Sequence, residues 1–161
     1  MIKPKKIHEK ITVKGDLERV QTIFSHFVNN PQEYQFSTHY GVEVGKRPID
    51  KIGARFSTLE RFGPINVALE FQTFRYKPGK KFEFKLLKPF KKVNIVGGFE
   101  VTALENGEVE IELTVRSAFA DNLLARANRF VIFGFPVKYF IRVQLRRELD
   151  FIRMAFENNL E

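Results

Sequence analysis

One stretch limits what this chain can build. Residues 136 to about 158 repeat their apolar side chains at the helical period, with Val137, Ile141, Leu145, Leu149, Ile152 and Phe156 on one face. Lys138, Arg142, Arg146 and Arg153 fall on a neighbouring face turned towards water. Most of what precedes this stretch alternates at period two, the pattern of half-buried strands. A chain with one long helix and many short strands must lay that helix over the apolar face of its sheet. Two polar residues interrupt the helical stripe, Gln144 and, one turn later, Glu148. A carboxylate in that position needs a partner beneath the helix or a wet surface.

The strands can be read in order. Ile7, Ile11 and Val13 open the chain and Gly15 ends their segment. Asp16 is placed to cap a helix carrying Leu17, Val20, Phe24, Phe27 and Val28, which Asn29-Asn30-Pro31 stops. Residues 32–35 add one short turn, giving a short helical pair. Tyr40, Val42 and Val44 then alternate with polar residues. In the next strand Ala54, Phe56, Thr58, Glu60 and Phe62 share a face. After the turn at Gly63-Pro64 comes the row Ile65, Val67, Leu69 and Phe71. The phase then slips to Phe74 and Tyr76, which predicts a bulge near Thr73. Turns at 77–80, 88–92 and 105–107 separate the rows Phe82-Phe84-Leu86, Val93-Ile95-Phe99-Val101 and Val109-Ile111-Leu113-Val115. Gly97-Gly98 inside a strand predicts sharp curvature. Residues 121–133 read as a short helix before the break at Gly134-Phe135-Pro136.

Hairpin-length turns make the sheet antiparallel, and its alternation leaves one face apolar. The expected architecture is α+β: about seven antiparallel strands curved around a long C-terminal helix, in one domain over 1–161. Such a grip closes imperfectly and leaves a pocket of roughly 300–1,000 Å³. The alternative is a core filled solid by the 18 Phe, which pack without needing hydrogen bonds.

Several motifs fit this architecture and resemble a known family. They are Phe24 with Asn30-Pro31-Gln32-Glu33-Tyr34 after the first helix, Gly53-Ala54-Arg55-Phe56 opening a strand, residues 74–82 (FRYKPGKKF) across a hairpin, and Leu145-Arg146-Arg147-Glu148-Leu149 in the last helix. Over about 7–158 the chain resembles the START-related, polyketide-cyclase-like superfamily, which includes the major birch pollen allergen and the coenzyme Q-binding proteins. Many members carry a Trp after the first helical pair, where this chain has Tyr34 and Phe36. The resemblance implies a helix-grip fold with a hydrophobic cavity. It also implies binding of lipids, hormones, quinones or polyketides, and in a minority of members catalysis on them.

The residues themselves carry no catalytic signature: no G-x-S-x-G, no phosphate-binding glycine loop, no H-E-x-x-H and no Cys. His8, His26 and His39 lie on separate elements without ligand spacing, so neither a metal nor another cofactor is expected. The cavity lining expected from the inward rows is Tyr40, Phe56, Leu69, Phe71, Phe84, Phe99, Leu113, Val115, Ser117, Phe140, Ile141 and Gln144. Tyr40 and Ser117 are included as hydroxyls for a ligand. Glu60 and Glu148 are the candidate catalytic or ligand-anchoring groups. Each is either a rim carboxylate paired with Lys or Arg, or a cavity acid whose pKa burial raises. In the second case the pair is suited to anchor a ligand hydroxyl or to move a proton, and the resemblance implies the corresponding chemistry of its enzymatic members, a cyclase or dehydratase acting on a polyketide-like substrate.

The formal charge of +8 points to an anionic partner or simply keeps a Phe-rich chain in solution. Its Lys and Arg are scattered and do not interleave with aromatics on an exposed strand, which argues against nucleic acid. The run FVIFGF at 130–135, flanked by Arg126, Arg129, Lys138 and Arg142, suits either a lid over the cavity or transient contact of 126–142 with an anionic membrane surface. Phe90, between Lys88 and Lys91-Lys92, has the same character. The basic start, 1–6, has no apolar run behind it, so no signal peptide is expected. With no Cys, the expected location is a reducing compartment, the cytoplasm.

Overall fold

A computed structural model describes residues 6–35, 39–89, 94–117, 134 and 136–158. Strand β1 (Lys6–Lys14) leads into helix α1 (Leu17–Asn29). Strands β2 (His39–Val44), β3 (Arg55–Phe62), β4 (Ile65–Lys77), β5 (Lys81–Lys88), β6 (Ile95–Ala103) and β7 (Glu108–Ser117) follow, and helix α2 (Val137–Asn158) comes last. The seven strands form one antiparallel sheet in the order β1-β7-β6-β5-β4-β3-β2. From β2 to β7 each strand pairs with its neighbour in the chain, as a run of short connections allows. The predicted short helix at 121–133 and the run at 130–133 lie outside the described residues, as do Phe36, Phe90 and Phe135.

Each end of α1 has a local cause. Asp16 accepts a hydrogen bond from the Glu18 amide at 3.2 Å and starts the helix. Pro31 follows its last residues, and the chain makes a single turn in which the Tyr34 amide donates to the Pro31 carbonyl at 3.2 Å. The second member of the expected helical pair is therefore one turn, which delivers Tyr34 to the underside of α2.

The sheet is bent around its concave face. Gly97 meets the Phe84 ring so closely that a Cβ there would lie 2.5 Å from it. A Cβ on Gly98 would lie 2.8 Å from the Phe82 carbonyl oxygen. The glycine pair is thus set by close approach, which lets β5 and β6 curl with an aromatic ring lying across the backbone. The predicted bulge is present, between Thr73 and Arg75. Its extra residue is Phe74, which turns to the outer face under Lys85, while Thr73 and Tyr76 stay on the inner rows. Phe74 therefore does not continue the apolar row.

Helix α2 buries Leu145, Leu149, Ile152 and Phe156 against the concave face. Burial of each such side chain contributes about 1.5–3 kcal/mol. Arg142 and Arg146 are not simply solvated. Both reach Glu9 on β1, at 3.6 and 3.2 Å, and pin the helix to that edge strand.

Candidate functional site

The helix does not fill the sheet. Between them lies a cavity of about 730 Å³. The described Phe residues therefore line a space and do not close it: 10 of these 12 are on its wall. Among the predicted residues, Phe56 and Glu60 reach it from β3, and Leu69 and Phe71 from β4. Phe84 and Phe99 come from β5 and β6, Leu113 and Val115 from β7, and Phe140, Ile141, Gln144 and Glu148 from α2. These residues of the inward rows and of the helical stripe thus meet on one wall.

Two predicted residues are elsewhere. Tyr40 pairs with Leu59 on the outer face and is not on the wall. The cause is an irregularity in β2: Gly41 has φ +59°, and the register shifts between Tyr40 and Glu43. The bulge inverts the alternation, so His39 points inward beside Glu60 and Tyr40 points out. Ser117 does continue the inner row of β7 and is buried opposite Ile95. It lies at the strand's end, and its short side chain does not reach the cavity.

One end of the cavity is polar. Glu60, only 6% exposed, is surrounded by donors. Its Oε1 accepts from the Thr58 hydroxyl at 3.0 Å and from His39 Nδ1 at 2.6 Å, and its Oε2 accepts from Gln144 Nε2 at 2.7 Å. So Glu60 is not a rim carboxylate paired with Lys or Arg. Its partners are a histidine, a hydroxyl and an amide, all in the interior. Burial disfavours the His39 imidazolium. The hydrogen bond to Glu60 and the charges of Glu60 and Glu148 outweigh this, and the His39 pKa is raised above the ordinary value.

Glu148 is held differently. Its Oε1 accepts from the Tyr34 hydroxyl at 3.0 Å, and among the described residues its Oε2 makes no hydrogen bond. Burial, with a further contribution from Glu60, raises its carboxyl to about 7, while His39 and the Tyr34 hydroxyl pull the other way. Tyr34 itself is pushed well above 10 by burial and then by Glu148. Its ring stands edge-on to Phe27, Phe99, Phe151 and His39, with centroids 5.2–6.0 Å away.

His39 and Tyr34 are two residues at this polar end whose inward direction sequence patterning missed. The glycine at 41 inside a predicted strand was a signal for the first. Tyr34 follows a turn, where no periodicity reports a side chain's direction. Among the described residues no group of three or more His, Cys, Asp or Glu is placed to hold a metal ion. No helix among them is long and apolar enough to cross a membrane.

No protein-family model and no curated protein matches this sequence. Solved structures do match it. Norcoclaurine synthase of Thalictrum flavum, solved as a point mutant with a transition state analogue, has a TM-score of 0.69 at 8% identity over 99% of both chains. A protein of Thermus thermophilus has a TM-score of 0.71 at 11% identity over 98% of this chain and 100% of its own. Major latex-like protein 151 of Panax ginseng has a TM-score of 0.56 at 11% identity over 88% of this chain and 97% of its own. At such identities the likeness is one of fold. The chain has the helix-grip fold of the birch-pollen-allergen-like, START-related superfamily.

Proposed function

We propose that this chain binds and carries an apolar small molecule, of the lipid, quinone or polyketide class, inside the cavity beneath α2. The observation that carries this reading is a space of about 730 Å³ walled by phenylalanine with its hydrogen-bonding groups gathered at one end. That is the pattern of a small-molecule site: apolar surface supplies affinity and a few polar groups fix orientation. The fold is also one associated with hydrophobic ligands. Ile65, 61% exposed, and Phe140 both border the cavity and touch solvent, giving an entrance between the β3–β4 turn and the first turn of α2. Brief contact of 126–142 with an anionic membrane surface forms part of the proposal. A cytoplasmic location is the other part, resting on the cysteine-free composition.

Native mass spectrometry of freshly purified protein, followed by extraction, tests the reading. A bound apolar molecule is expected, and Ile141→Trp, which fills the cavity, should lose it while melting normally. Protein that carries no ligand and takes up no neutral apolar dye would sink the proposal.

A second reading is favoured by Glu148. A carboxyl near 7 that is hydrogen-bonded to a tyrosine and open to a cavity is suited to move a proton beside a carbonyl. Cyclase or dehydratase chemistry of this kind predicts that Glu148→Gln and Glu60→Gln lose turnover while ligand still binds. Undiminished turnover in both variants would exclude it.

A further inference from the structure

The two carboxylates of the cavity are not equally compensated. Glu60 has His39 against one oxygen and neutral donors against both. Among the described residues Glu148 has a single neutral donor, Tyr34, on Oε1 and none on Oε2, and it borders the cavity. The described residues of the wall include no Lys and no Arg. Yet the chain as a whole carries a formal charge of +8, and the Lys and Arg of the described residues lie away from this wall. Tyr34, which holds Glu148, has the rings of Phe27 and Phe99 edge-on to its own. A carboxylate desolvated by such apolar neighbours attracts a cation and repels an anion.

We propose that the cavity selects apolar molecules bearing a basic amine, with the ammonium group on Glu148 Oε2 and the apolar body along the phenylalanine wall. This rests on the apolar-ligand reading and narrows it. A neutral ligand gains the wall but brings no charge to Glu148 Oε2. A fatty acid gains the wall and places a second negative charge beside the carboxylates. An amine gains the wall and brings a full positive charge against Oε2. The groups facing Glu148 across the cavity, His39 and Glu60 from the sheet and Tyr34 from the turn, are already engaged with each other or with Oε1.

Displacement of Nile red, a neutral dye, by decylamine, decanol and decanoate at pH 8 provides the test. The three share a tail length and differ in head charge. Decylamine is expected to displace the dye at a concentration about tenfold or more below decanol, with decanoate weakest. In Glu148→Gln the ratio of amine to alcohol affinity should fall to within about threefold. Decanol matching decylamine in the unmodified protein overturns the amine proposal while leaving the apolar-ligand reading intact. An amine preference that survives Glu148→Gln also overturns it. Failure of all three to displace the dye, or of the dye to bind, removes both readings together. The comparison of ligands in the unmodified protein does not depend on the variant folding.

Discussion

Glu60 and Glu148 open onto one cavity from opposite sides, one on the sheet and one on the helix. Among the described residues Glu60 receives three hydrogen bonds and Glu148 receives one. Burial alone therefore does not decide what a carboxylate does. Glu60 is locked into a network that fixes β2, β3 and α2 relative to one another, and such networks stabilise only when complete. Glu148 keeps an unsatisfied oxygen and a proton close to neutrality, which is the condition for meeting a ligand. The largest expected effect separates the two directly. Glu60→Leu strands the donors of His39, Thr58 and Gln144 in the interior and should cost about 3–5 kcal/mol in urea unfolding. A loss below about 1 kcal/mol would show that the network holds nothing together.

The next effect has the opposite sign. The Glu148 carboxyl lies at about 7 in the folded chain against 4.5 as its ordinary value. Between these values the folded state keeps a proton that the unfolded state has released. Stability therefore falls as pH rises through the window from 4.5 to about 7. At 1.36 kcal/mol per unit the ceiling is about 3 kcal/mol. Raised His39 contributes in the same direction: its stabilisation is present at low pH and lost as pH rises through its folded value. The part of that contribution that comes from Glu60 is shared with a Glu148→Gln chain, which lacks the Glu148 penalty and Glu148's own share in raising His39. The variant should match the parent at pH 4 and be more resistant to urea at pH 8. Parallel stability profiles for the two chains from pH 4 to 8 would contradict this account of the site.

How far this contrast could be read from sequence follows from the same residues. Glu60 and Glu148 stand out because each breaks an apolar row whose period is regular on both sides. Regularity also places the Phe wall on β3 to β6 and the buried face of α2. What is lost is whatever depends on an irregularity. Gly41 shifts the β2 register, so His39 and Tyr40 exchange faces, and Phe74 leaves its row at a bulge. Tyr34 sits after a turn, where its direction is set by contacts with Phe27, Phe99 and Phe151. Two of these three rings come from elements distant in sequence. The polar end of the cavity is thus partly legible: its acids, Gln144 and the row position of Thr58 stand out, while His39 and Tyr34 do not.

Tyr34→Phe sharpens the comparison from the other side. It removes the only described hydrogen bond on Glu148 and keeps the ring in its aromatic cluster. The expected loss of stability is modest, about 1 kcal/mol. The more telling readout is the Glu148 titration, followed through its side-chain carboxyl carbon by NMR. The hydroxyl lowers the Glu148 pKa, so its removal should move the midpoint above 7. An unmoved midpoint would mean that the hydroxyl does not sense the charge.

A third carboxylate extends the series to the surface. Glu9 points from β1 towards α2 and meets two guanidinium groups, Arg142 at 3.6 Å and Arg146 at 3.2 Å. By formal charge it is the best compensated of the three. Its partners are nonetheless 48% and 67% exposed, so water and salt share the interaction. Glu9→Gln should therefore cost only about 0.5 kcal/mol in dilute buffer and nearly nothing in about 1 M salt. The Glu60→Leu loss should persist at both salt concentrations, because its partners are inside. If Glu9→Gln proved as costly as Glu60→Leu, the helix would be held by its surface charges and not by the network beneath it. The cavity would then be a space that the edge strand keeps open, with its polar end free to rearrange around a ligand.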